Sequence, residues 1–135
     1  MTLHLVFNPK SGRGHGKNIA EIAKKLCDEH NAKLVLHPLE NPKLIDNICR
    51  RAVGAAQKES GVVAAAGGDG TIRAVAQHAR DTDVKVAAIP CGTFNLFARN
   101  HNIPLDLEEA LNLALTGNAT SVRLADINGE VFILN

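Results

Sequence analysis

Apolar positions along the chain fall into two alternating kinds of segment. Short continuous runs, Leu3-His4-Leu5-Val6-Phe7, Lys33 to Leu39, Val62-Val63-Ala64-Ala65-Ala66 and Val84 to Ile89, predict strands buried on both faces. The segments between them carry helical spacing instead: Ile19, Ile22, Ala23 and Leu26, then Leu44, Ile45, Ile48, Cys49, Ala52 and Ala56, then Ile72, Val75, Ala76 and Ala79. Asn18 with Glu21 reads as a capping box, and Asn41-Pro42 opens the second helix with proline at its first position. A short helix is predicted around Asn95 to Arg99. Asp106 and Glu109 cap another that carries Leu107, Ala110, Leu111 and Ala114. Strand–helix alternation through residue 116 predicts an α/β fold, a parallel sheet with helices on both faces.

The tail breaks this rhythm. Val122 to Ile127, Asn128-Gly129 and Val131 to Leu134 predict a β-hairpin on a two-residue turn. The organisation expected is therefore residues 1–120 as one α/β domain and residues 121–135 as the first hairpin of a second, β-rich domain. A run of Val, Phe, Ile and Leu at an open sheet edge is a liability that proteins normally cover. It predicts a chain that continues beyond residue 135, and an edge that invites pairing between copies as a homodimer.

Composition narrows the classes. At 135 residues with 45% apolar and 21% charged residues, the chain suits one globular domain rather than disorder. A formal charge of +1 is too balanced to argue for an anionic membrane surface, and no nucleic-acid partner is expected. No apolar run approaches the ~20 residues that cross a bilayer, and the start has no signal-peptide layout, so a cytoplasmic location is expected. Cys27, Cys49 and Cys91 are widely spaced with no C-x-x-C pair, and read as small buried side chains. The six histidines show no metal-ligand spacing.

Ligands of a doubly wound sheet sit beyond the carboxyl ends of its strands, where this chain has glycine-bearing loops. The first runs Asn8-Pro9-Lys10-Ser11-Gly12-Arg13-Gly14-His15-Gly16-Lys17. Glycine backbone can approach an anion, the following helix presents its positive end, and Lys10, Arg13 and Lys17 add charge. The alternative is a βα loop that needs glycine only for its turns. The second is Gly67-Gly68-Asp69-Gly70-Thr71, with Asp69 placed to join a Mg²⁺ shell or accept a hydroxyl proton, and Thr71 to cap the helix. An ordinary Asp-Gly turn is the competing reading, although three glycines around one carboxylate exceed what a turn needs. The third runs from Pro90 through Gly92, Thr93, Phe94, Asn95, Leu96 and Phe97 to Arg99. Thr93 and Asn95 carry phosphate donors, while the apolar residues read as core and Arg99 equally as a surface ion-pair partner.

Asn8-Pro9-Lys10-Ser11-Gly12, Gly67-Gly68-Asp69-Gly70-Thr71 and Gly92-Thr93-Phe94-Asn95-Leu96-Phe97-Ala98-Arg99, in this order and spacing, resemble the catalytic domain of diacylglycerol kinases, shared by sphingosine kinases and bacterial lipid kinases. The resemblance covers nearly the whole chain. It implies an ATP- and Mg²⁺-dependent lipid kinase, with this chain its nucleotide-binding half. Asn8, Pro9, Lys10, Ser11, Gly12, Gly67, Gly68, Asp69, Gly70, Thr71, Ile72 and Arg73 would line the phosphates and ribose, with Gly92, Thr93 and Asn95 completing the third loop. Asp69 would serve in the Mg²⁺ and phosphate network or as the base, and Asp126 matches an aspartate of a water-mediated Mg²⁺ site in the bacterial relatives. His37 stands near a position where those relatives contact the nucleotide through Thr, or is only a strand-end residue.

The implied partners are a lipid acceptor, diacylglycerol or sphingoid-like, and transient contact with a membrane surface. The family often has Asp where this chain has Leu96, so one carboxylate of the second metal network is missing. Little turnover is expected from residues 1–135 alone, because the family builds its lipid site partly from the second domain. Two other readings share the middle motif or explain Leu96: an NAD or sugar-phosphate kinase, and a non-catalytic nucleotide-sensing module.

Overall fold

The computed structural model describes residues 1–9, 15–92, 94–117, 123–127 and 130–134. Four parallel strands, β1 (Thr2–Phe7), β2 (Lys33–Pro38), β3 (Val62–Gly67) and β4 (Lys85–Pro90), form one sheet in the order β2-β1-β3-β4. Helices α1 (His15–Glu29), α2 (Ile45–Lys58), α3 (Asp69–Ala79), α4 (Leu96–Asn100) and α5 (Leu107–Thr116) connect and cover the strands. The expected α/β architecture with helices on both faces is the observed one. β5 (Arg123–Ile127) and β6 (Glu130–Leu134) pair antiparallel as the tail pattern predicts, and β6 runs beside α3. The Asn128-Gly129 turn lies outside the described residues.

Alternation along β1 divides the core into two. Leu3, Leu5 and Phe7 face α1 and α5, where they pack with Ile19, Ala23, Leu26, Ala110 and Leu111. Val6, with Val63, Ala65 and Ala88, faces Cys49, Ala52 and Val53 of α2 and Ile72 and Val75 of α3. The two inner strands, β1 and β3, are buried nearly throughout, as continuous apolar runs require. The edges are not: Val35 and Leu36 on β2 are 38% and 45% exposed, because a strand paired on one side only leaves both faces partly open.

Several boundaries differ from the pattern. α1 begins at His15, so Asn18 and Glu21 lie inside its first turns rather than at its amino end. Pro42 opens a short 3-10 turn, Pro42–Leu44, capped by the Asn41 side chain accepting the Lys43 N–H at 3.0 Å. Leu44, expected on the inward face, closes that turn exposed, and α2 buries Cys49, Ala52, Val53 and Ala56. The N-cap of α3 is Gly68, one turn ahead of Thr71. Asp106 caps α5 as expected, its carboxylate accepting the Glu109 N–H at 3.0 Å. Cys27 and Cys49 are buried and Cys91 half-buried, all unbridged.

Candidate functional site

The carboxyl ends of β1, β3 and β4 lie side by side, since Phe7 pairs with Ala66 and Gly67 with Pro90. Their loops therefore emerge at one edge of the sheet, with Asn8-Pro9, Gly67-Gly68-Asp69 and Cys91-Gly92 as neighbours. The second and third loops touch backbone to backbone. A Cβ on Gly92 would overlap Gly68 Cα, and one on Gly68 would meet Gly92 Cα at 3.4 Å. A Cβ on Gly67 would lie 2.6 Å from Thr71 Oγ1, so the Thr71 hydroxyl sits where only a glycine leaves room. Gly67, Gly68 and Gly92 are thus spent on packing these loops together and on leaving room for Thr71, while a Cβ on Gly70 would meet nothing within 4 Å.

Asp69 joins the two loops. It is the first residue of α3, and its carboxylate reaches across to the amino end of α4. Oδ2 accepts the Leu96 N–H at 3.0 Å and Oδ1 the Phe97 N–H at 3.1 Å. Each oxygen keeps a second acceptor direction. Asn95, expected to donate to a ligand, is instead 8% exposed and turned back on its own loop. Its Oδ1 accepts the Gly92 N–H at 2.9 Å and its Nδ2 donates to Gly92 O at 3.0 Å. Arg99 does not share a ligand-facing side with Asn95 either: its Nε donates to Phe94 O at 2.9 Å.

Five described non-glycine residues have positive φ: Asn31, Ser60, Asp81, Asn95 and Asn102. Four of them follow a helix end, where a left-handed residue is common. Asn95 (φ 52°, ψ 46°) precedes a helix, which makes the third loop the one place where such a conformation shapes a strand-to-helix turn.

His37 lies on the edge strand β2 and is half-buried. Its Nε2 is 3.0 Å from His4 Nδ1, and His4 Nε2 is 2.6 Å from Glu59 Oε1. Burial first, then the neighbouring His4 and Arg51 charges, lower the His37 pKa from 6.5 to about 4. The sequence reading singled out His37 but missed His4 and Glu59; a histidine inside the apolar run Leu3-His4-Leu5 was the available signal. Burial pushes the Cys49 and Cys91 thiols up to about 11, as expected of structural cysteines.

Of the remaining sequence candidates, Gly70 and Arg73 are exposed at the start of α3, and Ile72 is core at 1% exposure. Asn8 and Pro9 stand half-buried beyond β1. Lys10, Ser11, Gly12 and Thr93 lie outside the described residues, as does the side chain of Asp126, whose backbone on β5 pairs with Val131. Among the described residues no group of three His, Cys, Asp or Glu side chains can hold a metal ion. Nor does any described helix have the length and apolarity to cross a membrane.

Comparison with known proteins decides the family. The model of the diacylglycerol kinase catalytic domain matches residues 2–127. The chain belongs to this family. Curated relatives described as "Probable lipid kinase YegS-like" from Yersinia pestis (strain Pestoides F) and Yersinia pseudotuberculosis serotype O:1b (strain IP 31758) are each 44% identical over 77 residues, 54% of this chain. That alignment spans 26% of each relative's own length. A crystal structure of a diacylglycerol kinase from Bacillus anthracis str. Sterne superposes with a TM-score of 0.81 over 97% of this chain and 45% of that one, at 22% identity. A further structure from that organism gives 0.80 over 97% and 47%. The α/β fold is that of these kinase structures.

Proposed function

We propose that this chain binds ATP at the joined loops of β1, β3 and β4 and forms the nucleotide-binding half of a lipid kinase. The supporting observation is the contact between Gly68 and Gly92, which brings two glycine loops together at the amino end of α3. Such a helix terminus beside bare backbone suits a phosphate chain. Asn8, Pro9, Gly67, Gly68, Gly70, Thr71 and Arg73 lie at that edge, Lys10, Ser11 and Gly12 continue the chain after β1, and Thr93 follows Gly92.

Mg²⁺-ATP, when bound, supplies the phosphoryl group to be moved to a lipid hydroxyl. The fit of a magnesium ion is modest but adequate. A nucleotide-bound ion needs only one or two protein carboxylates, and Asp69 offers one. Asp126, on the strand next to β6, is the second candidate. Phosphoryl transfer asks mainly for positioning and neutralisation of charge. Here the backbone of Gly68 to Gly70 orients the anion, and the Leu96 and Phe97 N–H groups hold the Asp69 carboxylate in place. In that position the Asp69 carboxylate would either join the Mg²⁺ shell or, with another carboxylate on the metal, accept the acceptor's hydroxyl proton. A carboxylate from outside residues 1–135 is the alternative base. The chain spans less than half the length of the kinase structures it matches, and on this reading residues 1–135 bind nucleotide with little lipid turnover.

Calorimetric titration of Mg²⁺-ATP into the chain and into Asp69→Asn tests this, with fold checked by circular dichroism. Saturable binding, weakened in the variant, is expected. Absence of binding in the parent overturns the reading. Phosphate acceptance by diacylglycerol, a sphingoid base and NAD separates the lipid reading from an NAD kinase.

A further inference from the structure

The turn from β4 into α4 exposes two large apolar side chains next to Asp69. Phe94 is 72% exposed and Leu96 59%, the highest values among the large apolar side chains of the described residues. Hydrogen bonds on either side hold them there. Asn95 between them is inward and left-handed, bonded twice to Gly92, while the Leu96 and Phe97 N–H groups are fixed by Asp69. Phe97 turns in instead, its ring 4.3 Å from that of His101. Phe94 and Leu96 thus point out because the backbone between them is built to aim them out. Arg99 Nε donates to Phe94 O at 2.9 Å, which seats an exposed guanidinium at the base of the pair.

We propose that Phe94 and Leu96 insert into the surface layer of a phospholipid bilayer containing anionic lipid, with the Arg99 guanidinium at the phosphate level. Apolar tips above an arginine match the layering of a bilayer interface, where aromatic and aliphatic side chains reach the acyl boundary and a cation meets the headgroups. A second copy of the chain is a poorer occupant, since a stable protein interface buries roughly 800 Å² per partner and two side chains fall well short. The inference rests on the lipid-kinase reading and deepens it. Two of the four hydrogen bonds that aim the pair also hold the Asp69 carboxylate, so insertion would bring that carboxylate to the membrane.

Flotation of the chain with vesicles of phosphatidylglycerol and phosphatidylcholine in equal parts, and of phosphatidylcholine alone, tests this without nucleotide. The parent should float with the mixed vesicles. A Phe94→Ser/Leu96→Ser double variant should partition about tenfold more weakly or less, since partition scales with inserted apolar area. Arg99→Gln should lose the preference for phosphatidylglycerol. Leu113→Ser, which removes another exposed leucine on α5 (43% exposed), should float like the parent. Because Phe94, Leu96 and Leu113 are exposed, the double variant and Leu113→Ser should keep the parent's melting temperature.

A parent that does not float, or a double variant that floats equally well, overturns the proposal. So does a chain that fails to float but self-associates through the pair, seen as a dimer by sedimentation that the double variant dissolves. Failure of Mg²⁺-ATP to bind would instead count against the kinase reading and leave the flotation result as it stands.

Discussion

Gly92 lies against Gly68 with no room for a Cβ, while the reverse substitution meets the same backbone at 3.4 Å. The contact is asymmetric because the missing side chain of Gly92 would point into the Gly68 backbone, which is fixed as the N-cap of α3. Gly92→Ala should therefore cost about 2–3 kcal/mol, within the range for overpacked sites, and Gly68→Ala less than half of that. Urea denaturation of both variants checks the difference. Equal losses would show that the loops give way freely.

The Asp69 carboxylate ties α3 to α4 through two backbone N–H groups. Removing an ionised acceptor from such bonds costs about 1.5–3 kcal/mol. Asp69→Ala should lose roughly 2 kcal/mol, with the amides of Leu96 and Phe97 gaining hydrogen exchange ahead of the sheet. Asp69→Asn should recover part of the stability, because its one carbonyl oxygen still accepts one of the two. A loss of nucleotide binding in Asp69→Ala alone would then reflect the loop, and loss in both variants the charge.

How far the sequence carried the argument depended on whether local pattern or tertiary contact governed each feature. β1 and β3 are inner strands, so burial on both faces wrote itself into continuous runs, and Asp106 caps a helix by a bond to a residue three positions on. The Asn18–Glu21 pair has the same local spelling, yet α1 starts a turn earlier at His15. The glycine motifs were legible as a candidate site because three of them recur at strand ends. What they do there was not: the Gly68–Gly92 contact, the reach of Asp69 to Leu96, and the Glu59–His4–His37 chain join residues 24 or more positions apart. Asn95 was misread for a related reason, since an amide that closes its own turn looks the same in sequence as one that waits for a ligand.

His37 resists protonation in the fold, its pKa lowered from 6.5 to about 4 by burial and by His4. Between those values the unfolded chain binds more protons than the native one, so stability rises with pH across the window and falls as pH drops from 6.5 towards 4. Allowing for its partial exposure, the contribution lost is about 1–2 kcal/mol. His37→Gln should flatten this part of the stability profile. Proton NMR should show the native His37 ring titrating near 4; a midpoint near 6.5 would exclude the effect.

Leu111 and Leu113 sit two residues apart on α5 with opposite surroundings, the first fully buried against β1 and β3 residues and the second 43% exposed. Leu111→Ala should cost about 3 kcal/mol through lost burial and a cavity, whereas Leu113→Ala should stay within about 0.5 kcal/mol. Thermal melts of the two compare α5 packing directly. Similar shifts would mean that α5 does not seal this face of the sheet.

Leu96 occupies a position where the kinase family often has Asp, and its N–H is bound to Asp69 Oδ2. Leu96→Asp would set a second carboxylate beside Asp69 at the start of α4. The helix terminus favours that charge by about 0.3–1 kcal/mol, but the like charge of Asp69 opposes it, so the metal-free variant should melt at or slightly below the parent. A divalent ion reverses the balance, because it binds the folded pair and not the dispersed carboxylates of the unfolded chain. With Mg²⁺ near a hundred times its dissociation constant the variant should gain about 2.7 kcal/mol, while the parent, with one carboxylate here, should shift little. Melting curves with and without Mg²⁺, in the absence of nucleotide, read this directly. A parent that responds as strongly as the variant would mean that its own residues already complete a metal site without Asp at position 96.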